Sequence, residues 1–215
     1  MCDIMIIIRK RMRIKMDIKR IDSYEDERFR KKVLKQHGAF EVDDLLYEVE
    51  IISDYEAVVR GDSKYIKEII EEFRFYAEHI SKFYDDNEKC IAEYPKVKIF
   101  DIGLEKIQPS QFYVDIDKKQ AVESFVTNAN DIIIPLIEAD ERYVSLDGHT
   151  RLSVAVDRGY TSVKGFLADG GDWVQKFVHE ALLRGIHTPY DMQVLSHSEY
   201  DLKWNKFCDE LFEVK

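Results

Sequence analysis

The sequence is poor in cysteine and proline and has no surplus of positive charge. Its three cysteines (Cys2, Cys90 and Cys208) lie far apart without a C-x-x-C pair, so neither a disulfide framework nor a zinc knuckle is indicated and a reducing, cytoplasmic compartment is expected. Only four prolines occur among 215 residues, of which 45% are hydrophobic. This composition argues against disorder and predicts a globular protein with a proper core.

The net charge of -10 indicates which class of ligand or partner the protein binds. Neither half of the chain has more basic than acidic residues, which makes nucleic acid an unlikely partner and favours a small-molecule site. The apolar run at residues 4–8 is too short to span a bilayer and precedes its basic residues, so neither export nor a membrane anchor is expected. The mostly basic residues 9–15 fit a strand, a leader ahead of a start at Met16, or a nucleic-acid arm.

Residues 1–95 are expected to form one domain of mixed structure. Apolar residues at helical spacing predict a short helix over residues 25–36. Near alternation of apolar and polar residues predicts a small antiparallel sheet with strands at 39–42, 47–52 and 56–59. From residue 63 to 83 the apolar residues recur every three or four positions, which predicts a long amphipathic helix. Pro95 marks the predicted boundary.

Residues 96–215 alternate between strand and helix patterns and are expected to form an α/β domain. Short runs rich in Val and Ile predict strands at 97–102, 132–138, 142–146 and 162–167. Helical periodicity predicts helices at 118–127, 149–158, 172–184 and 199–212. In the third of these helices, Trp173, Phe177, Ala181 and Leu182 are expected to point inward.

One turn in this half has the chemistry of a phosphate site. A predicted strand ends at Asp147-Gly148, and His149-Thr150-Arg151 then opens a helix. Glycine permits a tight turn and close approach of a ligand, the helix start offers N–H donors, and arginine adds a fork of charged donors. A structural alternative stays open, in which Asp147 caps the helix and Arg151 pairs with a surface carboxylate.

Three segments follow one another in an order known from other proteins. They are IQPSQFYVD (107–115), DIIIPLIEADERYVSLDGHTR (131–151) and LSVAVDRGYTSVKGFL (152–167). Together they cover about a third of the chain and resemble the ParB/sulfiredoxin superfamily, whose signature includes an Ile-x-Pro-Ser strand exit and a Gly-x-x-Arg turn. The resemblance implies a ParB/sulfiredoxin-like C-terminal domain, which follows the N-terminal sheet and helix in the sequence. The whole chain also resembles a bacterial family, and this second resemblance implies no activity.

The residues of the turn distinguish the branches of this superfamily. His149 stands where sulfiredoxins have their catalytic cysteine, which excludes their reaction. The Gly-Glu-Arg-Arg turn of the CTP-binding partition proteins is also absent. The free serine kinases have a similar Asp-Gly-His-His-Arg turn, in which only Thr150 differs. Ser110 and Gln111, however, stand where those kinases place a catalytic glutamate, and neither acts as a carboxylate base.

The resemblance implies a nucleotide (ATP or ADP, or CTP), with Mg²⁺ as an expected companion. Asp147 and His149 are expected to be catalytic, Asp147 is the candidate Mg²⁺ ligand, and the nucleotide is expected to contact Gly148, Thr150, Arg151, Ser110 and Gln111. If the kinase glutamate is replaced by another carboxylate, the candidates besides Asp147 are Asp115, Asp117 and Glu105.

Two functions are therefore expected, and a third is less favoured. The first is a phosphotransferase that acts on a small hydroxyl metabolite. The second is a nucleotide sensor that binds a partner protein or a second copy through its acidic surface or its aromatic tail, namely Tyr200, Trp204, Phe207 and Phe212. A DNA-associated regulator comes third. The histidines at 179, 187 and 197 lack an H-E-x-x-H pattern and are interpreted as surface or capping residues rather than metal ligands.

Overall fold

The computed structural model describes residues 17–171 and 173–213, and for Phe212 and Glu213 it describes the backbone alone. The basic residues 9–15 and the alternative start at Met16 lie outside these ranges. The described residues form two compact units that meet in sequence between Lys98 and Ile99. Both contain helices and sheets, so the chain is a mixed α and β protein. No helix among the described residues is long and apolar enough to cross a bilayer.

The first unit is built on a six-stranded sheet in the order β1-β2-β3-β4-β5-β6. Its strands are Lys19–Arg20, Ala39–Val42, Leu45–Ile51, Glu56–Arg60, Lys82–Tyr84 and Cys90–Glu93. Neighbouring strands are antiparallel except β4 and β5, which are parallel. The predicted strands at 39–42, 47–52 and 56–59 are thus confirmed with small shifts, but the sheet is larger than predicted and not wholly antiparallel.

The first helix, α1 (Lys31–Lys35), is shorter than the predicted 25–36. Residues ahead of it are held by side-chain contacts instead of helical bonds. Asp26 accepts from the backbone N–H of Arg28, and the N–H of Arg30 donates to Glu48 on β3. Because these contacts fix a turn, the helix begins only at Lys31.

The prediction of one long helix over residues 63–83 is wrong for the second half of that range. A 3₁₀ turn (Ser63–Tyr65) leads into α2 (Ile66–Arg74), which ends there. Ala77, Ile80 and Phe83 are buried as the spacing predicted, but they lie in a turn and on β5. The N–H groups of Ser81 and Lys82 donate to Tyr55 O, so a connection to the sheet replaces the helical bonds.

The second unit contains a mixed five-stranded sheet in the order β7-β12-β10-β11-β8. These strands are Ile99–Gly103 (β7), Ile107–Pro109 (β8), Ile133–Ala139 (β10), Arg142–Ser145 (β11) and Ser162–Leu167 (β12). A separate parallel pair joins β9 (Tyr113–Asp115) to β13 (Gln193–Leu195). The four strands predicted in this half are confirmed within two residues at either end. Strand β8 lies where the resemblance implied a strand exit at Ile-x-Pro-Ser, whereas β9 and β13 were not predicted.

The helices of the second unit lie near their predicted positions, although the one predicted for 118–127 begins two residues earlier and ends four residues earlier. They are α3 (Ile116–Glu123), α4 (His149–Asp157), α5 (Trp173–Leu183), α6 (His197–Tyr200) and α7 (Lys206–Glu213). A π-helical segment (Asp201–Asn205) joins the last two, so the predicted helix 199–212 is one interrupted helix. On α5, Leu182 is exposed, which corrects its predicted inward position, and Val174 is buried instead.

An aromatic cluster forms one of the hydrophobic cores of this unit. Phe112, Phe177, Tyr200, Trp204 and Cys208 are all buried in it, and Phe207 packs against it. Trp204 lies with its ring centroid 4.8 Å from that of Phe112. Tyr200 and Trp204 therefore belong to the interior, and this burial gives no support to the prediction that the two rings dock a partner protein.

Candidate functional site

The predicted phosphate turn connects β11 to α4. Gly148 has the left-handed backbone conformation (φ 80°, ψ 17°) and is the residue before the helix. A Cβ atom at this position would lie 2.5 Å from Cγ2 of Ile134 on β10. Both the backbone angle and the close approach require glycine here. Gly148 is the cap residue, so the structure gives no support to the alternative in which Asp147 caps the helix. The other part of that alternative is seen, because Arg151 pairs with a partly exposed carboxylate, that of Asp147 itself.

Donor groups converge at this turn. The first bond within α4 joins the N–H of Leu152 to Gly148 O at 2.9 Å. The N–H groups of Thr150 and Arg151 precede that bond and have no acceptor within the helix. The guanidinium of Arg151 lies close to the same place, because its Nε and Nη2 atoms are 3.5 Å from the position of a Cβ at Gly148. The guanidinium is thus close to Gly148, the residue from which the helix starts.

Arg151 is held in this position from two sides. Its Nη1 donates to Ile133 O at 3.1 Å, and its Nη2 lies 3.7 Å from Oδ2 of Asp147. The contact with Asp147 is an ion pair, because 3.7 Å is too long for a hydrogen bond. These contacts use a minority of the five guanidinium N–H groups. The side chains of Arg151 and Asp147 are both partly exposed, so a ligand can reach them.

His149 points away from the turn and into the interior, where it is only 4% exposed. Its Nε2 lies 3.1 Å from Ser145 Oγ and 3.2 Å from Ser110 Oγ, and the backbone N–H of Gln111 donates to it at 3.3 Å. His149 joins three segments beneath the turn, and this geometry gives no support to its predicted contact with a transferring group.

Ser110 and Gln111 are also directed inward. Ser110 Oγ donates to Ser145 O at 2.7 Å, and Gln111 Nε2 donates to Tyr113 O at 2.6 Å and to the hydroxyl of Tyr200 at 3.3 Å. Both residues are buried. They support the turn from below, and their predicted contact with nucleotide has no support in this arrangement.

The other candidates for a catalytic carboxylate lie in different parts of the second unit. Glu105 is exposed in the 3₁₀ turn Leu104–Lys106, at the end of β8 away from Ser110. Asp115 ends β9 and caps α3, where its Oδ1 accepts from the N–H of Asp117 at 2.9 Å. Its Oδ2 lies 2.7 Å from Nδ1 of His197. The pairing of β13 with β9, which sets Leu195 opposite Asp115, brings His197 to this position.

His197 was interpreted from sequence as a surface residue, and its place beside Asp115 was missed. The two residues are 82 positions apart, and β13 consists of only three residues. A strand that short leaves little periodic signal. Local signs of order flank β13: the Thr188 capping box lies ahead of Pro189–Asp191, and Ser196 caps the helix that begins at His197.

We expect the pKa of His197 to lie above its ordinary value of 6.5. The hydrogen bond with Asp115 is the main cause, followed by the charges of Asp115 and Asp201. A raised pKa means that the pair stabilises the fold fully below pH 6.5 and loses this contribution as pH rises through the folded-state value. NMR titration of the ring without added metal measures the pKa. Asp115→Asn should lower it more than Asp201→Asn does, and equal values in all three proteins would contradict the assignment.

No family model matches the chain, and no curated protein matches it. Among solved structures it is similar to the protein Atu1540 from Agrobacterium tumefaciens, with 16% identity over 45% of this chain and a TM-score of 0.33. The match spans 62% of that protein. A likeness of this size supports no statement on fold or activity, so the resemblance to the ParB/sulfiredoxin superfamily stays a prediction.

Proposed function

We propose that the second unit binds a nucleotide, with its phosphate groups at the turn from Asp147 to Arg151. The observation that carries this proposal is the position of the Arg151 guanidinium, close beside Gly148 at the start of α4. Helix N–H groups, the positive end of the helix dipole and a guanidinium form a suitable environment for a dianionic phosphate. The choice of a nucleotide over a free phosphate rests on the superfamily resemblance.

The geometry favours nucleotide sensing over phosphoryl transfer. A transferase needs a base beside the acceptor hydroxyl, yet His149, Ser110 and Gln111 are buried and engaged in hydrogen bonds. Asp147 is the exception, because its carboxylate is partly exposed and lies beside Arg151. It supports a second candidate function, a kinase for a small hydroxyl metabolite. Asp147 would then hold Mg²⁺ against the phosphates or accept the hydroxyl proton.

Replacement of Arg151 with alanine tests the binding site. The change removes charge-assisted hydrogen bonds worth about 1.5 to 3 kcal/mol each, so nucleotide affinity should fall at least about tenfold. Titration calorimetry with ATP, ADP and CTP, each with and without Mg²⁺, measures the affinity. The matched control is Arg158→Ala at the far end of the same helix, where the guanidinium donates to Glu123 O. Binding that is equal in Arg151→Ala and the parent would place the site elsewhere.

Turnover separates the two functions. The parent and Asp147→Asn are incubated with the nucleotide that binds, and with serine and other small hydroxyl metabolites. A kinase that uses Asp147 should release the nucleotide with one phosphate fewer in the parent and lose most of this activity in Asp147→Asn. Tight binding without turnover for any acceptor would support the sensor.

A further inference from the structure

A second group of polar side chains lies where α3 and α6 begin. Asp115, Asp117 and His197 each offer a ligand atom, and these three atoms lie within 4.8 Å of one another. Asp115 is 2% exposed, whereas Asp117 and His197 reach the surface. Two ligand atoms of one zinc ion, each about 2.1 Å from it, are at most about 4.2 Å apart. Small side-chain rotations would therefore bring the three atoms to one ion.

The charge balance of this group is negative. Asp201 adds a third carboxylate, with Oδ2 at 3.4 Å from Nε2 of His197. Within residues 17–171 and 173–213, no lysine or arginine forms an ion pair with any of these three aspartates. Even a protonated His197 brings one positive charge against three negative ones. A buried carboxylate such as Asp115 is costly without a matching cation, so the group has the electrostatics of a cation site.

The orientation of His197 is a separate observation that fits a metal ligand. Its Nδ1 faces Asp115, and its Nε2 faces Asp201, which is not one of the three candidate ligands. Metal-binding histidines commonly use one ring nitrogen for the metal and donate from the other to a carboxylate. Asp201 is in position to be that acceptor and to fix which nitrogen is left for the ion.

We propose that Asp115, Asp117 and His197 bind a divalent transition-metal ion, with Asp201 orienting the imidazole. One nitrogen and two carboxylate oxygens suit Zn²⁺ or Mn²⁺ better than Mg²⁺, which prefers oxygen ligands throughout. On binding, the metal takes the place of the proton between Nδ1 of His197 and Oδ2 of Asp115, and that proton goes to solvent. This inference does not depend on the proposed nucleotide site.

The test uses the full chain, freed of metal with a chelator and assayed without nucleotide. Titration calorimetry with Zn²⁺, Mn²⁺ and Mg²⁺ should give one equivalent of Zn²⁺ or Mn²⁺ and weaker binding of Mg²⁺. His197→Ala should lower the affinity at least about tenfold, and Asp201→Asn about 10- to 100-fold. The matched control is His187→Ala, because His187 is an exposed histidine outside this group and should not matter.

A further variant, Asp115→Asn, removes a proposed metal ligand while it keeps the helix cap, so a loss of binding cannot be attributed to unfolding. Asparagine caps a helix as well as aspartate does, so the start of α3 should persist, which circular dichroism checks. Metal affinity should nonetheless fall at least about tenfold. The proposal is overturned if the parent takes up no Zn²⁺ or Mn²⁺, or if His197→Ala and Asp115→Asn bind as the parent does. His197 would then be an imidazolium ion paired with Asp115 and nothing more.

Discussion

Trp204→Ala is expected to lower the free energy of unfolding by about 3 to 5 kcal/mol, the cost of emptying a large buried aromatic site. Trp204 is 0% exposed and lies at the centre of the aromatic cluster. Its ring centroid is 4.8 Å from that of Phe112, 5.9 Å from Phe177 and 5.7 Å from Phe207. Those rings are held by different elements, so the site should collapse only in part. Urea unfolding followed by circular dichroism measures the change.

The control for this prediction is Leu202→Ala, two residues earlier in the same π-helical segment. Leu202 is 66% exposed, so its truncation should change stability by no more than about 0.5 kcal/mol. The pair separates loss of packing from any effect on the helix itself. A small loss in Trp204→Ala, similar to that in Leu202→Ala, would mean that the tail does not pack on the unit in solution.

Gly148→Ala is expected to cost about 2 to 5 kcal/mol. A non-glycine residue in the left-handed region costs about 1 to 2 kcal/mol, and overpacking of a buried site adds about 1 to 3 kcal/mol. The second contribution arises because the new Cβ would lie 2.5 Å from Cγ2 of Ile134, a buried side chain on β10. Thermal and urea unfolding measure the loss. Nucleotide affinity should fall as well, because a shift of the turn moves the helix N–H groups.

Gly159→Ala provides the matched control. Gly159 is also left-handed (φ 69°), but a Cβ there would meet nothing within 4 Å. Its substitution should therefore cost only the backbone contribution of about 1 to 2 kcal/mol. The difference between the two variants measures the contact with Ile134. Equal losses would mean that this close approach does not exist in solution.

Elements with strong local patterns were predictable from the sequence. The strands Ala39–Val42 and Ser162–Leu167 have their predicted bounds, and the helix that begins at His149 ends one residue before its predicted end. The failure at residues 75–83 has a physical reason. Apolar residues three or four apart satisfy a helix, but they also satisfy a turn that buries the same side chains. Tertiary hydrogen bonds, here to Tyr55 O, decide between the two.

The turn from Asp147 to Arg151 was predictable from the sequence, but the directions of its side chains were not. Its position follows from a glycine between a strand and a helix, which is a local pattern. The direction of each side chain is a tertiary property, so the burial of His149 under Ser110 and Ser145 left no trace in the motif. The Asp115 and His197 pair was missed for the same reason, because it depends on a parallel pairing between distant short strands.

The pairing of β9 with β13 has a consequence for synthesis on the ribosome. Strand β9 ends at Asp115, and its partner begins at Gln193. At about 5 to 20 residues per second, the partner strand follows roughly 4 to 16 s later. Until then, Phe112 and its neighbours have neither Trp204 nor Phe207 to cover them. The second unit is therefore expected to complete its folding only after translation has passed Cys208, and chaperones that bind exposed aromatic segments should engage the nascent chain during that interval.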